Sequence, residues 1–513
     1  MTEKIDIVFI NPNNSNQVYQ KLSSKYSAVE PPTWSLLLAQ SCRSKGFHVD
    51  IIDANAENLT DTEVFNRLKK LDPKYVCLVV YGQNVNSGTT NMAGATKTSK
   101  YLKSKNLNKK IIFIGSHVQA LPIETIKNER SIDIICTNEG VYALHNLLKL
   151  DDLSEQSLKD VKGIIFIDKN KNVIFNEAER IVPQENMDID LPGYAWDLLP
   201  YKEKPFDLYR SPMWHAGYVD ENRSPYAAIQ TSLGCQFKCD FCMINIINRQ
   251  DNDEVGVASN YNKMRYWSPE FIIEEFDKLL AFGVKTIKIT DEMFLLNPKY
   301  YLPLCKLLKE RNKNNDLRIW AYTRIDTVKR KEVLQTVKDA GIKWLCLGIE
   351  SADKTIRLEI SKGKFEDVDV KKVVEQIHEA GIEVMANYIY GLPGDNAESM
   401  KKTLDLSIDL CTSGWNSYAA MALPGSLLYK QAKDKGLELP KTYSAYSFHS
   451  YETLPLSNEF LSAKDILMFR DNAFIKYHKN KAFLSRIENI FGKIAVENIN
   501  EMLKVKLDRK IFN

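Results

Sequence analysis

Three times in the middle of this chain a helical stretch stops at a glycine and a strand opens at once. The joints are Gly283-Val284-Lys285, Gly341-Ile342-Lys343 and Gly381-Ile382-Glu383. Glycine ends a helix because, without a β-carbon, it takes the left-handed conformation at no steric cost. The repeated joint marks a strand-then-helix unit, and six such strands are expected, at 228–232, 286–290, 318–323, 344–349, 384–389 and 417–423. The first helix has a clear start. Ser268 caps it, Pro269 suits its first turn and Glu270 suits its positive end. Ile272, Ile273, Phe276, Leu279 and Leu280 mark its buried face. Six units in succession fit an incomplete β/α barrel, whose active site lies at the carboxyl ends of the strands.

Residues 1–150 alternate differently. Continuous apolar runs at 5–10, 49–53, 75–81, 111–115 and 132–136 are separated by helical stretches, the longest-patterned of them at 34–45. Such runs indicate a parallel sheet covered on both faces, hence a doubly wound α/β domain. Ligands of such sheets bind beyond the carboxyl ends of the strands. Those ends are Asn11-Pro12-Asn13, Tyr81-Gly82-Gln83-Asn84, Gly115-Ser116-His117 and Asn138-Glu139-Gly140. Residues 151–225 read as a connector that begins with a β-hairpin around Lys169-Asn170-Lys171. Residues 226–430 form the barrel, and residues 431–513 form a polar, helical tail. At 513 residues the chain has length for about three domains.

Composition removes several function classes. A formal net charge of +3 gives nucleic-acid binding no electrostatic basis. With 44% apolar and 26% charged residues, the chain is globular and not disordered. No apolar run reaches 18 residues, so no membrane span is expected. The charged opening, Met1 to Asp6, is unlike a signal peptide. A cytoplasmic location is therefore expected, and there the nine cysteines stay reduced, as core residues or ligands.

Three of those cysteines stand together in Cys235-Gln236-Phe237-Lys238-Cys239-Asp240-Phe241-Cys242, directly after the first barrel strand and Gly234. That position is the catalytic rim. Three thiolates hold three irons of a four-iron, four-sulfur cluster and leave the fourth iron open. A zinc site needs a fourth Cys or His, and His215 is the nearest His in sequence. A fully ligated electron-transfer cluster needs a fourth Cys, and the next along is Cys305. The other six cysteines, Cys42, Cys77, Cys136, Cys305, Cys346 and Cys411, are scattered, which suits core packing.

A CxxxCxxC motif at this position, with an aromatic residue before its last cysteine, resembles the radical S-adenosylmethionine superfamily. The resemblance implies that the cluster binds and reductively cleaves S-adenosylmethionine, with the backbone around Phe241 against adenine. It implies further cofactor contacts from Asp291 or Glu292 after the second strand and from Glu350 after the fourth. Gly391, Leu392 and Pro393 after the fifth would lie along adenine. Arg324, ending the third strand, would pair with a substrate or cofactor carboxylate. Thr290-Asp291-Glu292 departs from the glycine-rich version of its segment. Each rim residue also has a plain structural reading: Glu350 as a helix-end acid, Arg324 as a partner for Asp326, Gly391 to Gly394 as a turn.

A doubly wound domain ahead of such a barrel resembles the cobalamin-binding subgroup of that superfamily. Pro31-Pro32, Gly46 to Asp53, Leu191-Pro192 and Leu423-Pro424-Gly425-Ser426 carry the likeness beyond the cysteines. It implies cobalamin contacts from Asn11, Pro12, Asn13, Tyr81, Gly82, Gln83, Gly115, Ser116, His117, Asn138, Glu139 and Gly140. The loop after the first strand has no His, so no lower cobalt ligand from that loop is expected, and His117 sits after the wrong strand for one. A domain that has lost cobalamin is the alternative. The implied activity is methylation of an unactivated carbon of a small biosynthetic molecule, with electrons from a donor such as flavodoxin or ferredoxin. A cyclase, ring-rearranging or oxidising radical enzyme is the second reading, and a non-catalytic cobalamin or cluster sensor the third. Trp214, His215, Tyr446 and His449 are candidate pocket residues, with packing as their other role.

Overall fold

The computed structural model describes residues 4–82, 85–203, 208–211, 224–244, 246, 263–328, 331–361 and 368–513. Gln83, Asn84, Trp214 and His215 therefore lie outside the described residues. The amino-terminal sheet contains β1 (Ile7–Asn11), β2 (Val49–Asp53), β3 (Tyr75–Val79), β4 (Lys110–Ile114), β5 (Ile134–Cys136), β6 (Ile164–Ile167) and β7 (Val173–Phe175). Their spatial order is β2-β1-β3-β4-β5-β6-β7. The first five run parallel, and β6 and β7 join antiparallel at one edge. The hairpin read from the sequence as the start of the connector thus completes this sheet, which runs on to Phe175.

Alternation along the strands explains why both faces are covered. Ile7, Phe9, Cys77, Ile112 and Ile114 point to one side, where they meet Trp34, Leu37 and Leu144 of the helices Thr33–Ser44 and Val141–Leu148. Val8, Ile10, Val76, Leu78 and Phe113 point to the other, toward Val64, Leu68, Met92 and Ala95 of the helices Asp61–Leu71 and Gly88–Ser104. The strand order reverses between β1 and β3, and that reversal opens a crevice at their carboxyl ends.

The second sheet holds six parallel strands: β8 (Tyr226–Ile229), then β11 (Thr286–Ile289), β12 (Arg318–Arg324), β13 (Ile342–Glu350), β14 (Glu383–Tyr390) and β15 (Gly414–Ala419). A short antiparallel pair, β9 (Ser232–Leu233) and β10 (Arg265–Tyr266), lies at the rim after β8. This is the expected partial barrel. Its last strand begins and ends earlier than its apolar sequence suggested. Strand pairing ends at Ala419, Ala420 N–H still donates to the Tyr390 carbonyl of β14 (2.7 Å), and residues 421–423 run on outside the sheet. Gly283, Gly341 and Gly381 all have positive φ, as the joints require.

The two sheets are tied by buried polar contacts. Lys288 of β11 pairs with Glu30 at 2.6 Å, and Arg265 of β10 pairs with Glu139 at 2.7 Å. Tyr209 donates to Asp53 at the end of β2 (2.9 Å). In the connector, Trp196 donates to Glu275 of the first barrel helix (2.9 Å), and Tyr194 stacks on Trp196. The helix Ala463–His478 covers the sheet beside β14 and β15, and Ser447 reaches back to donate to the Val18 carbonyl at 2.8 Å. Among the described residues no helix is long and apolar enough to cross a membrane.

Candidate active site

The cysteine loop leaves β8 through Gly234, whose φ of +89° turns the chain across the barrel mouth. It is pinned from both sides: Asp240 N–H donates to the Ile360 carbonyl (3.0 Å), and Leu428 N–H donates to the Asp240 carbonyl (2.8 Å). Within the loop, Phe237 N–H points at Cys235 Sγ (3.5 Å) and Cys242 N–H donates to the Cys239 carbonyl (3.0 Å). Asn86, from the amino-terminal domain, completes the hold. Its Nδ2 donates to Cys242 Sγ at 3.5 Å and its Oδ1 accepts from Met243 N–H at 3.0 Å.

Burial pushes the Cys235 thiol up to about 12 and Cys242 to about 11, and holds Cys239 well above its ordinary value. Cys242 adds to the shifts of Cys235 and Cys239, Cys235 adds to that of Cys239, and Glu292 and Glu350 add further negative potential. Three thiols of one loop under the potential of two carboxylates make a strongly anionic donor set once deprotonated, and a polynuclear iron cluster would supply the matching positive charge. Among the described residues no three His, Cys, Asp or Glu groups are gathered for a single metal ion.

The rim residues divide by what already holds them. Asp291 accepts from Thr231 N–H (2.5 Å), Thr231 Oγ1 (2.6 Å) and Ser232 Oγ (2.6 Å), so its carboxylate braces the end of β8. Glu292 is half-buried, and burial followed by the Asp291 charge raises it to about 7. Of the two acids, Glu292 is the one turned toward the cysteines. Arg324 grips Asp326 with two nitrogens and lies 3.8 Å over the Phe237 ring. Glu350 is raised to about 7 by burial, against the pull of Arg324. Its φ is +64°, and the β13–β14 register shifts between Gly348 and Glu350. That bulge aims the carboxylate at the cysteine loop. Asp395 accepts from the N–H groups of Gly391 (3.0 Å) and Leu392 (3.1 Å), fixing the turn, and Leu392 packs in one apolar cluster with Phe241.

On the amino-terminal side a cavity of about 80 Å³ opens at the β1–β3 reversal. Asn11, Pro12, Gly82, Ser87 and Asn91 line it, facing Pro31 and Pro32. Asn11 donates to Asp53 (2.7 Å) and Asn13 to Asn58 (3.1 Å). Tyr81 stacks on Trp34 and donates to the Asn138 carbonyl (3.1 Å). Gly115 lies against the Val80 backbone with no room for a side chain, and Ser116 donates to the Val85 carbonyl (2.5 Å). His117 is buried, shares a hydrogen bond with Thr89 (3.0 Å) and is pushed down to about 3 by burial. Asn138 donates to the Glu179 carbonyl, and Glu139 is occupied by Arg265 and Val182 N–H, so both face the connector and not the cavity. Gly140, at φ +78°, starts the helix that follows.

Sequence reasoning missed Asn86 and Arg265. The signal for the first was a polar loop after β3 that continues to Ser87, and for the second a lone cation inside Met264-Arg265-Tyr266-Trp267.

Two family models match this chain: the B12 binding domain over residues 20–148 and the radical SAM superfamily over residues 229–407. The chain belongs to the radical S-adenosylmethionine superfamily, in the subgroup with a B12-binding domain. This radical SAM chain is 26% identical to an uncharacterised methyltransferase of Pyrococcus horikoshii over 93% of its own length and 94% of that protein. It is 24% identical to the anaerobic magnesium-protoporphyrin IX monomethyl ester cyclase of Cereibacter sphaeroides, over 86% of this chain and 66% of the cyclase. The radical S-adenosylmethionine methyltransferase TsrM from Kitasatospora setae, solved with cobalamin and a [4Fe-4S] cluster, superposes with a TM-score of 0.64 at 14% identity, covering 98% of this chain and 99% of TsrM. At that identity the likeness is one of fold.

Proposed function

We propose that this enzyme is a cobalamin-dependent radical S-adenosylmethionine methyltransferase acting on a carbon of a small biosynthetic molecule. One observation carries the reading: Asn86, on the loop beside the β1–β3 crevice, contacts Cys242 and Met243 of the cysteine loop. The crevice and the cysteine loop therefore adjoin, as a transfer between two cofactors requires. When bound, the cluster supplies the electron that cleaves S-adenosylmethionine to a carbon radical, and cobalamin supplies a transferable methyl group.

The residues of the chain position and shield. Cys235, Cys239 and Cys242 would hold the cluster. Glu292 and Glu350 would meet the ammonium group and ribose of S-adenosylmethionine, and Arg324 would place positive charge near its carboxylate. Phe241 and the Gly391-Leu392-Pro393 backbone would give adenine an apolar wall. Asn11, Pro12 and Gly82 line the crevice where cobalamin would sit, Asn13, Tyr81, Gly115 and Ser116 stand on the loops and strand ends around it, and among the described residues no histidine lines it. Buried His117 is held by Thr89, a structural role. Residues 1–175 form the cobalamin domain, 226–430 the radical barrel and 431–513 its helical cover. A flavodoxin or ferredoxin supplies electrons, and the setting is cytoplasmic.

The test is anaerobic reconstitution with both cofactors, followed by assay of deoxyadenosine, S-adenosylhomocysteine and product mass. A product heavier by one CH₂ is expected. Similarity to the cyclase supports a second reading, in which a radical product forms without that gain. Deoxyadenosine with an unmethylated product would select it.

A further inference from the structure

A cavity of about 330 Å³ lies at the end of the barrel opposite the cysteine loop. It is lined by the opening residues of the strands, among them Tyr226, Thr286, Arg318 and Glu383, and by Trp320, Trp344 and Phe491. Arg318 and Arg324 stand at opposite ends of β12, about 20 Å apart at ~3.3 Å per residue. This space is therefore separate from the crevice and from the cofactor rim, and its volume is in the range of small-molecule sites.

Its charges do not cancel. Lys288 is held by Glu30 (2.6 Å), and Glu383 is held by Arg486 (2.8 Å). Arg318 and Lys343 remain. Arg318 Nε donates to Thr286 Oγ1 at 3.3 Å, and Lys343 Nζ donates to Asn315 Oδ1 at 2.6 Å, both neutral oxygens. Neither has a carboxylate within ion-pair distance among the described residues. Both are half-buried, and burial pulls both below their ordinary values; the Lys338 charge and then the Arg318 charge lower Lys343 further, while Asp316, itself paired with Lys285, pulls Arg318 back up in part. Two partly desolvated, mutually repelling cations are a costly arrangement that a bound anion relieves. The walls beside them are aromatic: Trp344 stacks on Phe491 with ring centres 5.7 Å apart, and Trp320 is buried next to them. Aromatic faces favour a flat partner over a compact ion.

We propose that this cavity is a second binding site, for a small flat aromatic molecule carrying one anionic group, a carboxylate or a phosphate. Arg318 and Lys343 take the anion, and Trp320, Trp344 and Phe491 take the ring.

The full chain with its cluster reconstituted is titrated calorimetrically with 1-naphthoate, 1-naphthyl phosphate and neutral 1-naphthamide, with and without saturating S-adenosylmethionine. At least one anion is expected to bind at submillimolar concentration and at least tenfold more tightly than the amide, whether or not S-adenosylmethionine is present. The tighter of the two anions identifies the favoured headgroup. Arg318→Gln and Lys343→Gln should each weaken that anion at least tenfold and leave the amide unchanged. Lys343 is half exposed, so its variant keeps the test alive if Arg318→Gln melts early. Equal affinity for the amide, competition by S-adenosylmethionine, or full affinity in Lys343→Gln overturns the proposal.

Discussion

Asn86 Nδ2 lies 3.5 Å from Cys242 Sγ, so a side chain of the amino-terminal domain donates directly to a sulfur of the cysteine loop. Hydrogen bonds to cluster sulfurs stabilise the reduced, more negative state and raise the reduction potential. A bond of this kind contributes about 1 kcal/mol, which for one electron is about 40 mV. Asn86→Ala should therefore lower the cluster midpoint by some tens of millivolts, read by a redox titration followed with electron paramagnetic resonance. An unchanged midpoint would mean that the contact does not persist in the loaded enzyme.

Glu350 reaches its position only because Gly348 is small. A β-carbon on Gly348 would stand 2.6 Å from Glu350 Oε1. Gly348→Ala should displace that carboxylate and weaken S-adenosylmethionine binding about tenfold, close to the effect of Glu350→Gly. The second variant keeps the backbone, since glycine accepts φ +64° without strain. Equilibrium binding to the reconstituted protein measures both. Wild-type affinity in Glu350→Gly would remove Glu350 from the cofactor site.

The Glu139–Arg265 pair, each 1% exposed, fixes the end of β5 against the barrel rim. Removing one partner leaves the other charged, buried and unmatched, at about 3–5 kcal/mol. Arg265→Met should lower the melting temperature of the apoprotein sharply, and Glu139→Gln with Arg265→Met should recover much of the loss. Additive losses in the double variant would deny the coupling.

The sheets were legible because their signals are local. Apolar runs and glycine joints report on the strand that carries them, and the Cys235–Cys242 spacing puts three ligands in one loop whatever surrounds it. Contacts made across long sequence distance were not legible. Nothing near Asp291 says that Thr231 and Ser232 will take its carboxylate, or that Glu139 will meet Arg265. The hairpin at 163–176 was visible by its turn, but its place on the first sheet depends on the exposed edge of β5. The last barrel strand was set late because residues 419–423 are as apolar as a strand, while the end of pairing is decided by β14.

Three buried histidines, His117, His145 and His478, and two half-buried ones, His378 and His449, give the stability of this chain an acid-sensitive component. Burial pushes His117 to about 3 and His145, His378 and His478 to about 4, and holds His449 well below its ordinary value. A group whose folded pKa is depressed stabilises the fold fully above its unfolded value of 6.5, and that stability drains away as pH falls toward the folded value. For His117 the loss by pH 4.5 is about 3 kcal/mol, at ~1.4 kcal/mol per unit. Asp53 and Asp291, raised to about 6, work the other way and gain over part of the same range. The wild-type curve is thus a composite, and the difference between it and His117→Gln isolates one histidine. Between pH 6.5 and 4.5 the variant's melting temperature should fall less steeply than that of the wild type, because glutamine takes up no proton on unfolding. Parallel curves would show that His117 is already protonated in the folded chain, and with it that the Thr89 contact does not hold the ring neutral.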